Sequence, residues 1–156
     1  MKKIFALAIC AALAAAVALP ILYAQEDPAV VAKRAAIMEK AKQTLASHQW
    51  TIYLTIKPAT QRSRAVIETD VLTFGDGTVL SQNLSSQGYA KNGSNYSMFP
   101  SDDGTVVFET MQMHENEKDI AFLRGELRGN VLVGAVVMKP QKGEQKVFPY
   151  SSVSPQ

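Results

Sequence analysis

The sequence predicts a mainly β protein: an N-terminal helix, then an up-and-down antiparallel β-meander of about eight strands forming a barrel or partly open barrel. Three observations predict it. At Trp50 the apolar pattern changes from helical spacing to alternation. Short alternating runs then follow one another almost to the C-terminus. Between them stand turn signals, among them Asp76-Gly77, Asp102-Asp103-Gly104 and Gly129-Asn130. Regularly spaced strands joined by tight turns favour an all-β barrel or sandwich, and hairpins throughout favour up-and-down order.

Ahead of these elements, the chain opens Met1-Lys2-Lys3 and runs apolar from Ile4 to Leu22. A short basic stretch, an apolar run and small residues near a cut site make a secretory signal. Cleavage is expected after Ala24, beyond Pro20 and just before Gln25-Glu26-Asp27; Ala16-Val17-Ala18 offers a second small-x-small site. Left uncut, the same segment is long enough to span a bilayer, which takes about 20 apolar residues. Cys10 follows Leu7-Ala8-Ile9, and the bulky Ile9 makes a poor lipoprotein signal. The expected organisation is a signal peptide over 1–24, a helix or spacer over 25–48 and a barrel domain over 49–153, in a periplasmic or secreted location of the cell envelope.

Export changes the composition. The 156 residues hold 16 basic and 14 acidic side chains, and loss of Lys2 and Lys3 leaves 14 against 14. No basic field then remains to attract nucleic acid. The single cysteine, Cys10, departs with the leader. Disulfide, thiol and cysteine-metal chemistry go with it. About 130 residues suffice for one domain with its own core.

Asp27-Pro28 marks the start of the helix, since Asp caps and Pro suits the first helical position. Residues 29–47 are strong helix formers, rich in Ala, Lys, Glu and Met. Val31, Met38, Ala41 and Leu45 share a stripe, with Lys33, Lys40 and Lys42 off it and Arg34 interrupting it. A helix packed on the domain, a spacer and a short self-associating helix all fit this pattern.

Strands are expected over 50–56, 65–74, 78–84, 95–99, 105–113, 120–128, 131–138 and 146–151. Residues 61–64 read as a loop, 85–93 as a polar loop and 115–118 as a charged turn. Pro149 lacks a ladder donor and so suggests that the last strand is an edge.

A Trp near the start of the first strand, the run Leu72-x-Phe74-x-Asp76-Gly77, and the hairpin Leu123-x-Gly125-x-Leu127-x-Gly129-Asn130 together resemble small exported lipocalin-like (calycin) proteins. The resemblance covers residues 49–153. The chain departs from that family at His48, where a glycine two residues before the Trp is typical. The resemblance implies a cup with an apolar pocket.

Alternation places Trp50, Phe74, Phe108, Phe148 and Tyr150 on the inward face, as core or as pocket lining. With Leu72 and Phe74 inward, period two also turns Glu68 and Asp70 inward. A buried carboxylate needs a partner. Arg124 and Arg128 alternate with Leu123 and Leu127 and so are expected outside. The candidate ligand-binding residues are therefore Trp50, Glu68, Asp70, Phe74, Phe108 and Tyr150. Met111 and Met113 lie on the face opposite Phe108, as a contact surface or as the seat of the helix. His114, beside Glu115 and Glu117, reads as a solvated turn, and His48 has no nucleophile to serve. Neither a catalytic set, a metal site nor a cofactor is expected. Two functions fit: a non-enzymatic envelope barrel that binds a small apolar ligand, or a solid-cored structural or interaction module with an envelope protein partner. Membrane contact is expected only if the leader stays uncut.

Overall fold

The computed structural model describes residues 27–57, 63–101 and 103–155. The expected leader, its cut sites and Cys10 lie outside the described residues, as do residues 58–62 and 102. The chain divides into two units, Met1–Val31 and Ala32–Gln156. In the first, the helix α1 (Pro28–Ala46) begins at Asp27, whose Oδ1 accepts the Ala29 N–H at 2.9 Å. That is the expected cap and first-position proline.

The rest of α1 and all strands among the described residues belong to the second unit. They are β1 (Trp50–Lys57), β2 (Val66–Gly75), β3 (Thr78–Ser81), the short helix α2 (Gln82–Ser86), β4 (Ser94–Asn95), β5 (Ser97–Pro100), β6 (Val106–Met113), β7 (Ile120–Arg128), β8 (Val131–Lys139) and β9 (Lys146–Ser151). The nine strands form one antiparallel sheet in the order β4-β3-β2-β1-β9-β8-β7-β6-β5. The sheet curls into a nearly closed barrel. β4 pairs with β3 and β5 pairs with β6, and only Tyr96 stands between them. One expected strand is thus broken at Tyr96 and serves both ends of the sheet. Across the seam Ser94 Oγ meets Thr110 Oγ1 at 2.8 Å, and Thr110 Oγ1 donates to the Asn95 carbonyl at 2.7 Å.

Turn chemistry sets the hairpins. Asp76 and Gly77 both take positive φ, 48° and 75°, the two-residue turn whose twist matches the flanking strands. Two expectations fail here. The third strand stops at Ser81 rather than Leu84, because the Ser81 side chain accepts the Leu84 N–H and caps α2. Nor is the last strand an edge: β9 lies between β1 and β8. The β1–β9 pairing holds only Tyr53 opposite Ser151 and Leu54 opposite Tyr150. It stops where Pro149, which has no N–H, would be next.

One end of the barrel is sealed. Ala41 and Leu45 of α1 are buried, and Ile37 and Met38 pack against the same core, the spacing of one helical face. The Trp50 Nε1–H donates to the Leu45 carbonyl at 3.0 Å, satisfying one of the acceptors a helix end leaves open. The His48 ring lies on the Trp50 ring with centroids 4.3 Å apart. Met111 and Met113 are not the seat of the helix. They are about half exposed on the outer wall, because α1 instead covers the barrel end where β1 starts.

Candidate functional site

The end opposite α1 is open. There, the ends of β1, β2, β8 and β9 and the segment around α2 surround a cavity of about 320 Å³. Leu54 and Ile56 come from β1, Val136 and Met138 from β8, and Phe148 from β9. Leu84 and Tyr89 come from the α2 segment. Strand alternation turns the β1, β8 and β9 side chains inward, so an apolar wall follows from the pattern that built the core. Glu68, Asp70, Asn83, Gln87 and Lys146 add polar groups.

The α2 segment covers part of this mouth and is fixed at both ends. At one end is Asp70, which is 3% exposed. Its carboxylate accepts the Ser81 hydroxyl at 2.6 Å, the Val71 N–H at 2.7 Å and the Asn83 N–H at 2.9 Å. These donors satisfy the buried charge that the sequence left without a partner. At the other end Tyr89 forms a β-bridge to His114. The Glu115 N–H donates to the Gly88 carbonyl at 3.0 Å, and the Tyr89 and His114 rings meet edge to face at 4.9 Å. Gly88 has φ of +89°, and a Cβ there would lie 2.9 Å from His114 Nε2. Burial, and then the nearby Asp119 charge, push the Tyr89 phenol pKa up.

His114 works as a clamp. Its Nδ1 accepts the Asn116 N–H at 3.0 Å. Lys91 pairs with Glu115, which holds the Glu115 carboxyl below its usual range. Asp119 Oδ1 accepts the Gln141 N–H at 2.7 Å and so ties the β6–β7 turn to the β8–β9 turn. That bond, more than the neighbouring Asn116 amide, lowers the Asp119 pKa. Among the described residues no three side chains converge as metal ligands.

Of the six candidate residues, Glu68 and Asp70 line the cavity. Glu68 is exposed at its rim, and Asp70 is occupied in holding α2. The other four are buried away from it. Trp50 binds the helix end. Phe74 and Phe108 stack edge to face, with centroids 5.0 Å apart, and Tyr96 stands edge-on to Phe74. Tyr150 donates to the Arg124 carbonyl at 3.0 Å. Outside the barrel, Arg124 pairs with Glu109 at 2.8 Å and Arg128 with Glu126, as their alternation required. The sequence reading missed Leu54, Ile56, Val136 and Met138 as lining. Alternation in β1 turns Leu54 and Ile56 inward, but the continuous apolar run of β8 marks no face, and no sequence signal gives depth along the barrel.

Comparison with family models, with curated protein sequences and with solved structures finds no match for this chain.

Proposed function

We propose that this protein is an exported, non-enzymatic, lipocalin-like barrel that takes a small apolar molecule through its open end. One observation carries this: the cavity of about 320 Å³, walled by Leu54, Ile56, Leu84, Val136, Met138 and Phe148. Its size and lining suit a small ligand. The polar residues around it favour binding over catalysis. Asp70 is committed to three donors, and no nucleophile with an adjacent base stands among the described lining residues. The basic and apolar leader supports delivery to a periplasmic or secreted location. The test is native mass spectrometry of protein taken from its own host, beside a Met138→Trp variant that fills the cavity. A retained mass that Met138→Trp loses, while its melting temperature holds, is the expected result. A wild-type protein that carries nothing and binds no apolar dye overturns the proposal.

A second reading is favoured by the outer wall. Met111, Phe122, Val137 and Val147 stand in register across β6, β7, β8 and β9. Met111, Phe122 and Val147 are each at least 41% exposed. Contiguous exposed apolar side chains mark contact surfaces, so this face suits an envelope protein partner. Crosslinking from position 111, opposite Phe122, tests it: a Phe122→Ser change should lose any captured neighbour, and a face that captures none with Phe122 in place excludes this role.

A further inference from the structure

We infer that the molecule held in the cup carries a neutral carbonyl oxygen, and that the side-chain amide of Gln112 binds it. This rests on the ligand-binding proposal above and adds the chemical class of the ligand.

Gln112 is 1% exposed, on the inward face of β6. Its Nε2 is buried and has no hydrogen-bond partner among the described residues. Buried amides nearly always find partners, and each exception asks for a cause. Leaving a buried donor unpaired costs stability, and an apolar side chain of similar shape would avoid that cost. The unpaired group is the donor end of the amide, so what completes it must accept a hydrogen bond.

Gln112 does not itself line the cavity but shares a strand register with two residues that do. Gln112 pairs with Ala121, Ala121 with Met138 and Met138 with Lys146, one inward-facing row across β6 to β9. Met138 and Lys146 line the cavity. Only the methyl group of Ala121 stands in the row between Gln112 and Met138. The acceptor is neutral because the lining carries two carboxylates, Asp70 inside and Glu68 at the exposed rim, against the single cation Lys146. Two carboxylates repel an anionic head group entering an apolar space, where charge is costly.

Displacement of a fluorescent apolar dye, N-phenylnaphthylamine, tests the inference with two probes of one shape. They are a methyl ketone of about eight carbons, short enough for this cavity, and the alkene in which CH2 replaces its oxygen. The readout is the ratio of ketone to alkene affinity, which cancels their shared apolar contacts. Gln112→Met should lower this ratio about tenfold while leaving alkene affinity within about twofold. Ala121→Val keeps the amide but closes the approach to it, and should lower the ratio in the same direction. A ratio unchanged in both variants overturns the inference while leaving the binding proposal intact. If neither probe displaces dye from the wild-type protein, the binding proposal and the inference fall together.

Discussion

Tyr150 of β9 donates its phenol proton to the main-chain carbonyl of Arg124 in β7, 3.0 Å away, reaching past the strand β8 between them. Two glycines in register make the reach possible. A Cβ on Gly134 would lie 2.1 Å from the Arg124 oxygen and 2.7 Å from the Tyr150 hydroxyl. A Cβ on Gly125 would lie 2.3 Å from that hydroxyl and 2.2 Å from the Phe108 ring. The contact fills the middle of the barrel, between the end sealed by α1 and the open cavity.

Gly134→Ala is therefore expected to destabilise the protein by about 3 kcal/mol, since backbone must shift to admit the methyl group. Tyr150→Phe should cost about 1 kcal/mol, the worth of one hydrogen bond. The double variant should cost less than the sum, because removing the hydroxyl relieves one of the new clashes. Urea unfolding of the three variants measures this, and simple additivity would count against the geometry.

Burial pushes the Tyr150 phenol far above its ordinary value of 10.0, and raises Tyr89 and Tyr96 as well. The unfolded chain loses these protons near pH 10 while the folded chain keeps them. Stability is thus fully present below about pH 10 and falls as pH rises from there toward the folded values. Absorbance titration should show these tyrosines ionising together with alkaline unfolding. A smooth titration of all of them in the folded state would contradict their burial.

Asp70→Asn should cost about 2 kcal/mol, because a charged acceptor with three donors becomes an amide with one acceptor oxygen. The loss is local before it is global. Amide exchange over residues 82–89 should quicken first, with β7 and β8 unaffected at low denaturant. Uniform exchange across the barrel would mean that Asp70 does not hold α2.

The tie between Asp119 and the Gln141 N–H responds to acid. Asp119 has a folded pKa below the usual carboxylate range, chiefly because of that N–H. Its contribution is fully present above about pH 4 and is lost as pH falls through the lower folded value. The Gln141 amide resonance, followed by NMR from about pH 6 to pH 2, should move with Asp119 and lose its shift in Asp119→Asn.

The fold was legible in the chain because its signals are local. Asp27-Pro28 starts α1, Asp76-Gly77 turns β2 into β3, and the alternation in β1, β6 and β7 assigns the inner and outer faces. Local rules misplaced residues 82–84, which look like the end of a strand. Asp70, far away in sequence, supplies the acceptor that lets the chain turn into a helix there. Pro149 misled in the same way. It ends one ladder of β9, yet the chain curls so that β1 still lies alongside.

The candidate site was only half legible. Period two turned Asp70, Phe74, Phe108 and Tyr150 inward, while Glu68 reaches only the exposed rim. It carries no record of depth, so buried core and cavity wall look alike. By itself the sequence determined the meander of strands after one helix, the inward face of Trp50, Asp70, Phe74, Phe108 and Tyr150, and the cap of α1, because each depends on neighbours within a few positions. Only the tertiary structure decided which end is sealed, that Asp70 is spoken for, and that Leu54, Val136, Met138 and Phe148 meet around a space. Those facts depend on the stagger of strands around a barrel and on where α1 comes to rest, and neither is written in any single segment.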